Sequence, residues 1–323
     1  MVIIFCGFIK NAYFCALNLK IMFLKYISFM KKLSLFLLVI FSCVNVNGQL
    51  LWRITGGNCY EPSYLFGTIH LETSRYMDSV PGLREAINEV DAIYGEVVKD
   101  EMLSKNAISQ ALKESLAPAD STIDKLIAPE EYHMVDKVVK EYMRGLVGLD
   151  QLKKFKPMTI VLQLEGMQMM KYFPDSKSLG GGLDLGIQTL GEELGKYVGG
   201  FESIEEQMKL AYGTTLREQA RSLVQMCIHD KDFGKYNCEL TAAYHRQDLS
   251  ALEELLLDSN RGMGGESLER MCYARNRKWM KKIIATMPVQ SMLIVVGAAH
   301  LIGDNGLIEL LRNSGYVVEA VRD

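Results

Sequence analysis

"LIVVGAAHLIG", residues 293–303, joins an apolar run to Gly-x-x-His and an aliphatic residue, within a stretch, 291–323, that reads strand, turn, helix, strand. The run from Met292 to Val296 is apolar without alternation, as strands covered on both faces of a parallel sheet are. "SYLFGTIHLE", residues 63–72, repeats the pattern 230 positions upstream. A glycine closing a strand lets the backbone turn, and a histidine three residues on then projects from the C-terminal edge, where open parallel sheets hold ligands. His70 and His300 are therefore expected at one edge of one sheet.

The segments around these two stretches complete the pattern. Residues 50–55 and 63–70 are β-rich runs separated by Gly-Gly-Asn and Glu-Pro turn material, a hairpin signature with a longer loop. Residues 81–90 carry apolar positions at helical spacing behind Pro81, and 91–98 reads as a strand, so a parallel strand–helix–strand unit is expected. Residues 101–175 read as helices near 104–116, 129–146 and 157–172, punctuated by Pro118, Pro129, Pro157 and Pro174. Met167, Met169 and Met170 in the last of these suit core or groove lining rather than a metal site. A helix over 183–194, a strand at 196–201 and helices through 203–285 follow. The expected fold class is α/β: a mixed, mostly parallel sheet with flanking helices and a large helical insertion over about 101–178. No low-complexity linker interrupts residues 49–323, which favours one domain.

The chain has 323 residues, 49% hydrophobic and 23% charged, with a net charge of −3. Its lysines and arginines are scattered rather than striped, so no nucleic-acid partner is expected. "MKKLSLFLLVIFSCVNVNGQ", residues 30–49, has two lysines, an apolar run and then small and polar residues, the layout of a signal peptide ending near Gly48. The run is shorter than the roughly 20 residues a membrane span needs. Residues 1–29 then read as an upstream leader or a misplaced start. Export to the periplasm, the cell envelope or the medium is expected, with membrane association only through the signal or through a lipid on Cys43, for which Ile40 and Phe41 are a poor context. Cys59, Cys227, Cys238 and Cys272 remain outside the leader, and in an exported protein four cysteines permit two disulfides in three connectivities or stay as free thiols.

Two imidazoles and one carboxylate make a three-ligand metal site with a position open for water. Glu96 and Glu202 both stand at the ends of expected strands. Either suits a ligand, and the one left off the metal suits a general base on the bound water. The plainer alternatives are a strand-end surface charge for Glu96 and a carboxylate at a helix N-terminus for Glu202.

With "YGEVV", "GLDLGIQTLGEELGKYVGGFESIEEQ" and "CYARNRKWMKKI" added to the two Gly-x-x-His stretches, the chain resembles the TraB/GumN family, which includes the Tiki proteases, from about Leu51 to Val321. The resemblance implies a TraB/Tiki fold, akin to erythromycin esterases, and a metal-dependent peptidase acting on peptide or protein substrates with manganese or cobalt foremost and zinc also eligible. It places the paired histidines on His70 and His300 with Gly67 and Gly297 as their glycines. The family's glutamates fall on Glu202, with Gln207 downstream, and on Glu96, and its Arg-Asn falls on Arg275 and Asn276. The metal set is then His70, His300 and Glu202. At Glu96 the chain departs from the family's Glu-x-Asp, with Val98 in place of the aspartate.

Arg275 and Asn276 suit substrate orientation, because a guanidinium pairs with carboxylates in a fixed fork and an amide hydrogen-bonds a peptide. Asp184 is read first as a cap of the helix that follows it and second as a functional group. No Gly-x-Ser-x-Gly, His-Glu-x-x-His or Gly-Lys-Ser/Thr pattern occurs. Peptide hydrolysis is the leading expectation. A binding protein that holds a peptide or glycan without turnover, and a metal-free esterase-like hydrolase, are the alternatives.

Overall fold

The computed structural model describes residues 49–70, 72–102, 104–173, 182–258 and 263–322. The leader, the signal segment, Cys43 and Pro174 lie outside the described residues. β1 (Leu51–Gly56) and β2 (Ser63–Thr68) form the expected antiparallel hairpin, pairing Leu51 with Phe66 and Arg53 with Tyr64. Gly56 and Gly57 turn the chain with φ of 74° and 53°, and a side chain on Gly57 would also meet the Tyr316 ring at 2.8 Å.

β3 (Ala92–Gly95), β4 (Tyr197–Gly200), β5 (Met292–Gly297) and β6 (Tyr316–Ala320) complete a six-stranded sheet in the order β4-β3-β5-β2-β1-β6. β4, β3, β5 and β2 are parallel, and β1 runs antiparallel between β2 and β6. The fold is α/β with a mixed, mostly parallel sheet and many flanking helices. The chain passes from β2 through the helix Leu83–Glu89 to β3, yet these strands are not neighbours. β5, from the other end of the sequence, fills the slot between them. Met292 to Val296 are all buried, and a strand without polar alternation is stabilised most where both faces are covered.

Between β3 and β4 lie the helices Lys105–Ser115, Pro129–Tyr142 and Pro157–Tyr172. Pro129 and Pro157 stand in first turns, where a missing N–H leaves no bond unmade, and the Ser104 hydroxyl caps the Ala107 N–H at 3.1 Å. Val135, Val139, Leu149, Ile160 and Leu164 form a second hydrophobic core away from the sheet. Leu223 and Val224, on the later helix Leu216–Ile228, belong to the same core. The helical stretch therefore completes its interior with a segment that follows β4.

A π-helical turn, Glu269–Tyr273, leads directly into the helix Ala274–Thr286, which carries Arg275, Asn276 and Trp279. Such turns re-aim the residues beside them and recur at functional sites. Among the described residues no helix is long and apolar enough to cross a membrane.

Of the two alternatives open to the cysteines, the structure has the second: Cys59, Cys227, Cys238 and Cys272 are free thiols. Cys227 belongs to the second core and Cys272 to the sheet core, and Cys238 is exposed. Burial pushes the Cys227 and Cys272 thiols up to about 12, which keeps them protonated and inert.

Candidate active site

Register aligns the ends of the four parallel strands, with Thr68 opposite Gly297 and Gly95 opposite Gly200. Each strand then delivers polar side chains to one edge. Glu96 follows β3, Glu202 follows β4, His300 ends the short 3-10 turn after β5, and His70 lies two residues beyond β2. The N–H groups of Phe201 and Glu202 both donate to the Glu96 carbonyl at 3.0 Å, which locks the β3 and β4 ends together.

Arg275 occupies the centre. Its Nε donates to Glu202 at 3.1 Å, and Nη2 donates to both Glu202 and Glu96, the latter at 2.5 Å. Nη1 donates to the Met271 carbonyl at 2.7 Å and to His300 Nε2 at 3.1 Å. The side chains of Arg275 and Glu202 are 12% and 4% exposed, so this is a buried charge cluster rather than a surface pair. Gln207 Nε2 and the Gly297 N–H also donate to Glu96, at 3.2 and 3.0 Å. Burial would raise the Glu96 carboxyl, but His300 when protonated, Arg275 and the Gly297 N–H outweigh it and bring it down to about 2.

The state of His300 follows from its partners. Asn276 Nδ2 donates to the His300 and Asn305 carbonyls at 3.0 and 2.9 Å, which leaves Asn276 Oδ1 to accept from His300 Nδ1–H at 2.6 Å. Nε2 therefore carries the lone pair and accepts from Arg275, a group with no acceptor capacity. Burial lowers the imidazole to about 4, with Arg275 adding to the effect and Glu96 opposing it. At neutral pH His300 is a neutral ring, stacked on Trp279 at 4.4 Å, while Arg275 lies over the same indole at 4.6 Å.

Several sequence expectations are corrected by these positions. Asn276 is fully buried and holds His300, so it does not face a substrate. Every nitrogen of Arg275 is engaged inside the cluster rather than offered to a ligand. Arg275 holds Glu96 as a carboxylate, and an acid brought down to about 2 is a weak proton acceptor, which removes Glu96 as a strong general base; Glu202 accepts from the same guanidinium. Asp184 does not cap its helix: Gly182 is the cap residue of Leu183–Glu193 and Asp184 lies in the first turn. The motif glycines act differently from the expectation, as neither Gly67 nor Gly297 has positive φ. A side chain on Gly67 would stand 3.1 Å from the Ala298 backbone and 3.0 Å from Leu301, so Gly67 admits the segment that carries His300. Gly297 contributes its N–H.

A cleft opens beside the cluster as two cavities that share His70, Glu96 and Gln207. One, of about 330 Å³, contains Asp184, Gln188, Met169 and Met170. The other, of about 500 Å³, contains Arg275, His300 and an apolar wall. His70 is exposed there, unlike His300. Burial raises the Asp184 carboxyl, against the pull of His70. Glu165, on Pro157–Tyr172, reaches solvent, but the protein packed around it also raises its carboxyl, again opposed by His70. Glu165 carries no sequence signal. Trp279 does, because it follows Arg275 by one helical turn.

The TraB/PrgY/gumN family model matches residues 50–320. The chain belongs to the TraB/PrgY/gumN family. Among curated relatives, the metalloprotease TIKI2 of Danio rerio is 23% identical over 320 residues, covering 84% of this chain and 60% of its own length. The metalloprotease TIKI1 of Homo sapiens is 22% identical, covering 84% and 61%, and the metalloprotease TIKI homolog of Amphimedon queenslandica is 22% identical, covering 86% and 63%. The chain thus spans about 60% of the length of the TIKI2 protein of Danio rerio. No solved structure matches it.

For this TraB/PrgY/gumN member, the metal set of His70, His300 and Glu202 does not assemble. Among the described residues no group of three or more His, Cys, Asp and Glu side chains is placed to hold an ion. The reason is local: Arg275 already takes both oxygens of Glu202 and the lone pair of His300 Nε2. A guanidinium stands where the donors converge, so the arrangement as it stands does not fit a divalent ion at those three residues.

Proposed function

We propose that the protein is an exported peptide hydrolase, with its reaction site in the cleft where His70, Glu96 and Gln207 line both cavities. The observation that carries this reading is the convergence of four parallel strand ends on a polar cluster that opens into a two-armed cleft. The relatives' printed name, metalloprotease, supports the reaction class, and the signal-peptide pattern at 30–48 supports export to the periplasm or cell envelope.

Proton transfer is assigned to His70 and Asp184. His70 reaches the cleft, and Asp184 within its electrostatic range has a carboxyl raised by burial, the direction that suits acid–base work nearer neutral pH. The buried Arg275–Glu96–Glu202–His300 cluster holds the strand ends and the cleft wall in place. A divalent metal rests on the relatives' printed name, and manganese or cobalt before zinc on the family resemblance alone; no step is routed through an ion.

Saturation of both glutamates by Arg275 favours a second reading, a binding protein that holds a peptide without cutting it. A quenched-fluorescent peptide library, run with manganese, cobalt, zinc and EDTA, separates the two. Cleavage that falls about 100-fold or more in both His70→Ala and Asp184→Asn supports the hydrolase. Retention of peptides with no cleavage under any condition supports the binding protein.

A further inference from the structure

The larger cavity has its polar groups at one end. His70, Glu96, Gln207, Arg275 and His300 are gathered at the strand edge, whereas the far walls are leucine, methionine and alanine from several helical segments. Tyr244, at the junction, has its hydroxyl donated to the Gly67 carbonyl at 2.8 Å and offers no free donor. Leu162 is 45% exposed although it lines this cavity, and Leu210, Leu240 and Met271 are also only partly buried. Their uncovered apolar surface faces a concavity of about 500 Å³, within the range of pockets that enclose a compact ligand. Met263 and Met271 in the wall adapt to differently shaped apolar groups.

We propose that this apolar arm is the side-chain subsite of the substrate, and that it selects a peptide with a bulky apolar residue, methionine, leucine or phenylalanine, beside the bond presented to His70 and Asp184. The inference rests on the peptide-hydrolase reading. Its occupant follows from continuity: His70, Glu96 and Gln207 line both arms, so a chain lying across them places one flank against Asp184 and Gln188 and the other against the apolar wall. A charged side chain entering that wall would lose its hydration and, among the described residues that line it away from the strand edge, meet no charged partner. The wall residues themselves do no chemistry; they set which peptide is held.

The test uses the full chain and a series of quenched, fluorescently labelled peptides that differ at one residue: Met, Leu, Phe, Ser, Asp or Lys. kcat/KM and, separately, binding by anisotropy are measured on wild type, Leu162→Arg and Ala211→Trp. Leu162 is already partly exposed, so its replacement by arginine is compatible with folding, and circular dichroism melting checks both variants. The expected result is a preference of at least about tenfold for Met, Leu or Phe in wild type, collapsing in both variants. If peptides are cut with equal kcat/KM whatever the residue, the subsite is overturned and the hydrolase reading survives. If none is cut, yet the Met peptide binds more tightly than the Ser peptide and Leu162→Arg removes the difference, the subsite stands and the hydrolase reading falls. Equal binding of all six peptides with no cleavage overturns both.

Discussion

Arg275 Nη1 donates to His300 Nε2 at 3.1 Å, while the same guanidinium grips Glu96 and Glu202. The pair is held from outside by Asn276, next in sequence to Arg275, which binds His300 through both its Nδ1 and its carbonyl. One helix turn thereby sets the tautomer of a histidine on a strand end. The cluster gathers Glu96, Glu202 and one guanidinium in a largely buried setting that opens to the cleft at Glu96, so its stability depends on all its members.

Arg275→Ala removes the cation that, among the described residues, alone bridges Glu96 and Glu202. Loss of about 3–5 kcal/mol is expected, the range for breaking a buried ion pair, measured as the shift of the urea midpoint at pH 7. A divalent ion should raise the melting temperature of this variant more than that of wild type, because the donors are then released; equal shifts in both proteins would refute the displacement argument.

Gly67→Ala and Gly297→Ala separate the two motif glycines. A methyl group on Gly67 is forced against the Ala298 backbone, at a cost of about 1–3 kcal/mol. At Gly297 the nearest atoms lie at 3.6 and 3.8 Å and φ is −54°, so the change stays within about 0.5 kcal/mol. Urea melts of both variants read the contrast, and equal losses would sink it.

Acid should destabilise the protein in two steps. His300 is lowered from 6.5 to about 4 in the folded state, so the unfolded chain binds the proton first. Stability is intact above pH 6.5 and declines by about 3 kcal/mol as pH falls to about 4. Glu96, lowered from 4.5 to about 2, loses its contribution over that lower range. The groups facing His300 are Glu96, Arg275 and Asn276. His300→Gln should flatten the urea midpoint between pH 6.5 and 4, and an unchanged slope would refute the assignment.

Thiol titration checks the cysteines. Cys238 is expected to react with a thiol reagent in the native protein, Cys227 and Cys272 only after denaturation, and a reductant should leave the melting temperature unchanged. A drop of several degrees on reduction would establish a bridge instead.

The sequence by itself determined what local periodicity and side-chain chemistry can encode. The hairpin, the parallel strands, the helices beginning at Pro129 and Pro157, and the residues that meet at the sheet edge were all legible, because burial pattern and turn residues act over a few positions. The family followed from motifs in a specific order. Only the tertiary structure decided which partners those residues take. β5 enters between β2 and β3 from over 190 residues away in sequence, a placement set by two-sided burial rather than by any local signal. That insertion brings the Gly297 N–H to Glu96 and His300 to Arg275, so a guanidinium, not a third ligand, completes the cluster. Charge neutralisation within a buried volume is a property of the assembled edge, and no spacing along the chain records it.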